Sequence, residues 1–293
     1  MRTLPLLAAT FLLTATQAQY GTYDAKLVGT AKATSLVVVL DDGDSPYNRS
    51  LMEAVKADWK FNGSYEFVTL KEMAARPIVP TESYLLKTLK QDPEKHTGTH
   101  LSLVMGWKQK KGETLQTTGG AVTNIPSGQE LAHLLIDPER LNTPEYSPYV
   151  KLYVKHLQNY LELVMNGKIT DKTTADRTYQ GRNRLLRDNT TFVVDRRHLD
   201  KTMADDPSKV SAVYPKGAKV TETATVVDAI EGQDASITVT DVVLTGDHKT
   251  KWCFKRVFNA GTGELMYLKD EAALYGKKEG FMDEDFKQID RAR

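Results

Sequence analysis

The run Leu36-Val37-Val38-Val39-Leu40, entered from Ser35, limits the fold more than any other segment of the chain. A strand turns successive side chains to opposite faces, so an apolar run with no polar member has to be covered on both. The arrangement that does so is a largely parallel sheet with helices on its two sides. The residues that follow agree with it. Asp41-Asp42-Gly43-Asp44 ends the run, Ser45 is an N-cap candidate with Pro46 at the first helical position, and Leu51, Met52, Val55 and Trp59 recur at helical spacing. Asn62-Gly63-Ser64 breaks that helix. Tyr65 to Thr69 reads as a second strand, Leu70 to Ala75 as a short helix and Ser83 to Leu86 as a third strand, which completes β-α-β-α-β. Leu101 to Trp107 and Leu131 to Ile136 add outer strands.

After the turn-rich stretch 137–147, Ser147-Pro148 opens a helix that runs to about Asn166-Gly167. Tyr149, Tyr153, His156, Leu157, Tyr160 and Val164 form one stripe, widened by Val150, Leu152, Val154 and Leu163, which places this helix between two halves of the protein. A tyrosine row at this spacing reads as core packing, and His156 reads the same way. Gly167 to Arg187, with Arg177, Arg182, Arg184 and Arg187, reads as a basic linker. The first plan then returns: Thr190 to Val194 as a strand, Pro207 to Val213 as a helix, Ala218 to Thr223 as a strand, Val226 to Ile230 as a short helix and Ala235 to Leu244 as a strand. Strands Lys251 to Phe258 and Leu265 to Leu268 flank the turn Asn259-Ala260-Gly261-Thr262-Gly263. The expected class is α/β: two consecutive βαβαβ-type units with additional antiparallel strands. The boundaries are 19–136 for the first unit, 137–189 for the connecting helix and basic linker, and 190–293 for the second unit ending in a hairpin. The same order of elements about 155 residues apart makes an internal duplication the expectation.

Arg2 precedes the apolar run Leu4 to Ala15, and Thr16-Gln17-Ala18 supplies small residues where a signal peptidase reads. Residues 1–18 read as a cleaved signal, so the chain is expected to be exported to the periplasm or the extracellular space. No later segment is apolar over the eighteen or so residues that a membrane span needs. Cys253 is the single cysteine, which excludes an internal disulfide, and its strand context points to a structural thiol. Lys+Arg 39 against Asp+Glu 38 leaves no excess cation for a phosphate backbone, so a nucleic-acid partner is not expected. Asn48, Asn62 and Asn189 each open a glycosylation sequon.

The stretch Val37 to Asp44 followed by Tyr47-Asn48, Leu51, Ala54-Val55 and Trp59, then Tyr65-Glu66-Phe67, together with Thr262-Gly263-Glu264-Leu265-Met266-Tyr267, resembles a group of secreted, uncharacterised proteins of Bacteroidetes-type bacteria. The likeness covers most of the mature chain. Its motifs belong to the fold, so it implies bacterial export and a tandem α/β build and carries no reaction.

Several residue groups are candidates for chemistry. Asp42 and Asp44, at the carboxyl end of a buried strand, suit magnesium or a phosphoryl group, and the loop resembles the Asp-x-Asp loop of haloacid-dehalogenase-type phosphatases. Ser45-Pro46 departs from that pattern, and capping of the following helix is the simpler role. His96 and His100, with His133, His198 and His248, are candidates for zinc, but the glycine between the first two makes a polar loop the expectation. Gly119-Gly120 offers backbone amides to an anion. There is no Gly-x-Ser-x-Gly elbow and no recognised Cys-His arrangement. Arg196, Arg197 and His198, joined by Arg182 and Arg184, form the candidate anion-binding group, with a small anionic ligand or a protein partner expected. The leading reading is therefore a secreted, non-enzymatic binding or assembly protein. The alternative is an extracytoplasmic metal-dependent hydrolase or phosphotransfer enzyme using Asp42 and Asp44. The sequence leaves the cofactor open. Across the central helix, Asp42 and Asp44 are expected near Arg196 and Arg197.

Overall fold

Leu36, Val37, Val38 and Val39 are all buried, as an apolar run without alternation requires. The computed structural model describes residues 20–90, 97–126, 128–247 and 249–292. The expected signal segment 1–18, His96 and His248 lie outside the described residues.

The first half comprises α1 (Ala25–Lys32), β1 (Ser35–Leu40), α2 (Pro46–Asp58), β2 (Tyr65–Thr69), α3 (Leu70–Ala74), β3 (Glu82–Lys90), β4 (Gly98–Met105), β5 (Thr117–Thr118), β6 (Ala121–Val122) and β7 (Glu130–Leu135). Helices α4 (Pro138–Leu141), α5 (Tyr149–Met165) and α6 (Lys172–Asn189) follow. The second half comprises β8 (Thr191–Asp195), a 3-10 turn at Arg196–His198, α7 (Lys201–Ala204), α8 (Ser208–Val213), β9 (Ala218–Thr221), α9 (Thr223–Glu231), β10 (Ile237–Thr245), β11 (Trp252–Asn259), β12 (Leu265–Ala272) and α10 (Asp283–Asp290).

The fold is α/β, with two mixed sheets among the described residues. The first has the order β2-β1-β3-β4-β7, with the β5–β6 hairpin attached to β3 through β6; the second has the order β9-β8-β10-β11-β12. In both, the first strand lies between two parallel neighbours and two antiparallel strands extend the sheet on one side. The halves differ in their connections: α2 alone joins β1 to β2, whereas the 3-10 turn, α7 and α8 join β8 to β9. Residues 260–264 join β11 to β12, whereas 106–129 join β4 to β7 and carry the extra hairpin.

Local signals set several boundaries as expected. Ser45 Oγ accepts from the Asn48 N–H at 3.1 Å with Pro46 in the first turn of α2, and Thr69 and Glu72 close a reciprocal capping box on α3. Asn62 is buried, and its Nδ2 donates to the carbonyls of Ala31 (2.8 Å) and Thr34 (3.0 Å), tying the end of α1 to the turn after α2. The amides of Asn48 and Asn62 are thus structural, and only Asn189 of the three sequon asparagines is exposed.

One face of the first sheet, with Leu36, Val38, Leu85, Leu101 and Leu103, shares a core with α5, and that core continues to Val193, Val239 and Phe258 of the second half. Helix α5 hydrogen-bonds in both directions: Tyr160 donates to the Thr22 carbonyl at 2.8 Å, and Tyr149 and Tyr153 donate to the Thr240 carbonyl (3.1 Å) and Asp241 Oδ2 (3.0 Å) on β10. The opposite face of the first sheet holds Val37, Val39, Met73, Tyr84, Leu86, Val104 and Val122. Cys253 is buried in the second sheet's own cluster, where burial pushes its thiol up to about 12.

Two expectations need correction. Gly167 to Arg187 is not a linker: α6 starts from an Asp171–Thr174 capping box and buries Ala175, Tyr179, Asn183 and Leu186. That stripe is one residue per turn wide and includes Ala and Asn, so apolar periodicity hardly registers it. His100 does not lie in a polar loop: it is a buried member of β4, which begins at Gly98. No helix among the described residues is long and apolar enough to cross a membrane.

Candidate functional site

Asn48 builds the acidic loop at the end of β1. Its Oδ1 accepts from the Asp41 N–H at 2.9 Å, and its Nδ2 donates to the carbonyls of Asp41 (2.9 Å) and Gly43 (2.7 Å), the latter at φ 87°. Within this loop Asp44 pairs with Arg49 at 2.6 Å, both side chains exposed, and Asp42 accepts from the Lys71 N–H at 3.3 Å. Among the described residues no group of three or more His, Cys, Asp or Glu is placed to hold a metal ion.

The inward acid of the loop is Asp41, which pairs at 2.5 Å with Lys87, a residue 9% exposed. The Lys87 ammonium also lies 4.9 Å from the centroid of the Tyr47 ring. Gly119 and Gly120 take φ 56° and 77°, and Gly120 lies against this pair. A Cβ on Gly120 would come 3.7 Å from Lys87 Nζ and 3.9 Å from Asp41 Oδ1. Together with Leu70, Glu139 and Asn142 they bound a cleft of about 410 Å³. Its described lining sets Asp41, Asp42 and Glu139 against Lys87, a charge balance that does not favour an anion beside Gly119-Gly120.

Arg196, Arg197 and His198 take separate partners. The Arg196 guanidinium donates to the Ala204 carbonyl at 3.1 Å, and Arg197 pairs with Glu145 at 2.7 Å. His198 is buried, with Nε2 3.1 Å from Arg140 Nη2 and Nδ1 3.1 Å from Thr240 Oγ1. A guanidinium only donates, so Nε2 accepts and Nδ1 carries the proton. Burial lowers the His198 imidazole pKa, in keeping with this neutral form. Arg182 pairs with Glu264 at 3.2 Å. No ion pair among the described residues joins Asp42 or Asp44 to Arg196 or Arg197. The two sheets are linked instead by buried Arg256, which lies 2.6 Å from Asp241 and donates to the Leu135 carbonyl at 2.7 Å.

A polar network beside a cavity joins His133, one of the zinc candidates, to Thr88, Lys90, Ser102 and Glu130, which the sequence pattern did not single out. Register places Thr88 of β3 opposite His100 of β4, and Ser102 of β4 opposite His133 of β7. A bulge between Leu103 and Val104 then puts Glu130 opposite Val104, on the face that carries Ser102. Ser102 Oγ donates to Glu130 Oε1 at 2.8 Å, Thr88 Oγ1 lies 2.8 Å from Ser102 Oγ, and Lys90 Nζ is ion-paired with Glu130 Oε2. His133 Nδ1 is 3.0 Å from Glu130 Oε2, and its ring meets that of His100 edge to face at 5.4 Å. Burial by itself would raise the Glu130 carboxyl, but His133 and Lys90 outweigh it and hold the group well below the usual carboxylate range. Burial pushes the pKa of both imidazoles down, while the Glu130 carboxylate beside His133 opposes that shift.

Thr88, Lys90 and Glu130 line a cavity of about 660 Å³, completed from the 106–129 connection by Gln116, Thr118, Val122, Thr123 and Ile125. That volume is in the range of small-molecule sites. With its ion pair and hydroxyls the wall is suited to holding a polar molecule. The β5–β6 hairpin contributes Thr118 to this cavity and Gly119-Gly120 to the acidic cleft. No protein-family model, curated protein or solved structure matches the chain.

Proposed function

We propose that the protein is an exported, non-enzymatic binding protein whose small polar ligand occupies the cavity beside Glu130. The observation that carries this reading is the wall of that cavity: a fixed Lys90–Glu130 pair, threonine hydroxyls and the Gln116 amide, set among apolar side chains. The location of the cavity adds support. It is lined by the long connection between β4 and β7, and long loops carried on a rigid sheet are where binding residues concentrate. Export rests on Arg2, the apolar run to Ala15 and the small residues before Gln19, and it accords with the resemblance to secreted Bacteroidetes-type proteins. The matching strand orders of the two sheets support descent of both halves from one duplicated unit.

The metal-dependent alternative at Asp42 and Asp44 has no comparable support, because Asp44 is committed to Arg49. The test is a thermal-shift screen of the mature chain against small metabolites, repeated on Thr118→Trp, which fills the cavity from an exposed position. A ligand at 100 times its Kd should stabilise the native state by about 2.7 kcal/mol. The variant should keep its fold and lose that gain. A screen with no stabilising compound, or one in which Thr118→Trp responds like the parent, removes the reading.

A further inference from the structure

The charged end of the network sets the direction of every hydrogen bond in it. Glu130, paired with the Lys90 ammonium, only accepts. Ser102 places its one hydroxyl proton on Glu130 Oε1, so the 2.8 Å contact between Ser102 and Thr88 takes its proton from Thr88. Thr88, 2% exposed, borders the cavity, and its hydroxyl has lone pairs left but no proton to donate. A second hydroxyl is spent in the same way, since Thr123 Oγ1 donates to the Gln116 carbonyl at 3.2 Å.

We propose, resting on the cavity reading above, that Thr88 accepts a hydrogen bond from the ligand and that the ligand is a neutral polyhydroxylated compound, a saccharide or polyol. Hydroxyl groups supply the donors that Thr88 and Thr123 lack, and they accept in turn from the Gln116 amide and the Thr118 hydroxyl. A carboxylate or sulfate, which only accepts, would face lone pairs at Thr88 and Thr123 and the like charge of Glu130. The Lys90 charge that would otherwise attract it is already matched by Glu130.

The experiment uses the mature chain with labelled threonine methyl groups, titrated by NMR with glucose, N-acetylglucosamine and myo-inositol and, separately, with sulfate and acetate, two anions that only accept. At least one neutral probe should shift the Thr88 methyl resonance, and the two anions should leave it in place. Thr88→Val should weaken that probe about tenfold, the size of one lost hydrogen bond, while Thr88→Ser stays within about threefold of the parent. If Thr88→Val does not fold, the titrations of the parent and of Thr88→Ser decide. An anion that shifts Thr88 as strongly as the best neutral probe overturns the donor requirement and leaves the cavity reading standing. A neutral probe that binds Thr88→Val as tightly as the parent also overturns it. Lining threonines that respond to neither class overturn both.

Discussion

Glu130 Oε1 accepts from Ser102 Oγ at 2.8 Å only because the β4–β7 ladder carries a bulge. Glu130 and His133 are three residues apart, so in a regular strand they would face opposite sides of the sheet. The bulge after Leu103 resets that alternation and brings the carboxylate round to Ser102, Lys90 and the cavity.

Replacing Glu130 by alanine should therefore cost more than an ordinary polar truncation. Ser102 loses its acceptor, and the largely buried Lys90 ammonium loses a carboxylate. A loss of about 2–4 kcal/mol is expected in urea unfolding, short of the full cost of breaking a wholly buried pair because Lys90 retains some contact with solvent. A loss below about 0.5 kcal/mol would show that the network is not formed.

Acid should weaken the fold before the carboxylates titrate. Burial lowers the pKa of His100, His133, His156 and His198 in the native state, that of His156 to about 3. The unfolded chain then binds protons more readily than the native one once the pH falls below about 6.5, so the stability present above that value is lost on acidification. Each histidine contributes up to about 1.4 kcal/mol per pH unit between its unfolded and native values. Chemical denaturation at pH 7.5, 6 and 5 should show a falling series. Equal stabilities at all three would contradict the buried neutral state.

Val38 is fully buried in β1, between β2 and β3. Val38→Asp would bring an unpaired carboxylate into that interior, and a loss of at least about 3 kcal/mol is expected. An unchanged melting temperature would show that the strand is not the centre of its sheet.

Asp42 and Arg196 take separate partners, so the losses from Asp42→Ala and Arg196→Ala should add. The double-mutant cycle is expected to close within about 0.5 kcal/mol in denaturant melts. Coupling above that would place the two side chains in one cluster.

What could be read from the sequence was whatever local patterning decides. The unbroken Leu36 to Leu40 run, the Ser45-Pro46 helix start and the glycine turn after Asn259 depend on neighbours within a few residues, and they appear in the structure as expected. Helix α6 escaped because Ala175, Tyr179, Asn183 and Leu186 make a stripe too narrow and too polar to read as amphipathic. Only tertiary structure decided the strand order, the placing of Gly120 against Lys87, and the pairing of Asp44 with Arg49 and of Arg197 with Glu145. The choice of an ion-pair partner depends on distances between segments far apart in the chain. Which face Glu130 occupies depends on one bulge in a ladder, and residue spacing along a single strand cannot encode the register of its neighbour.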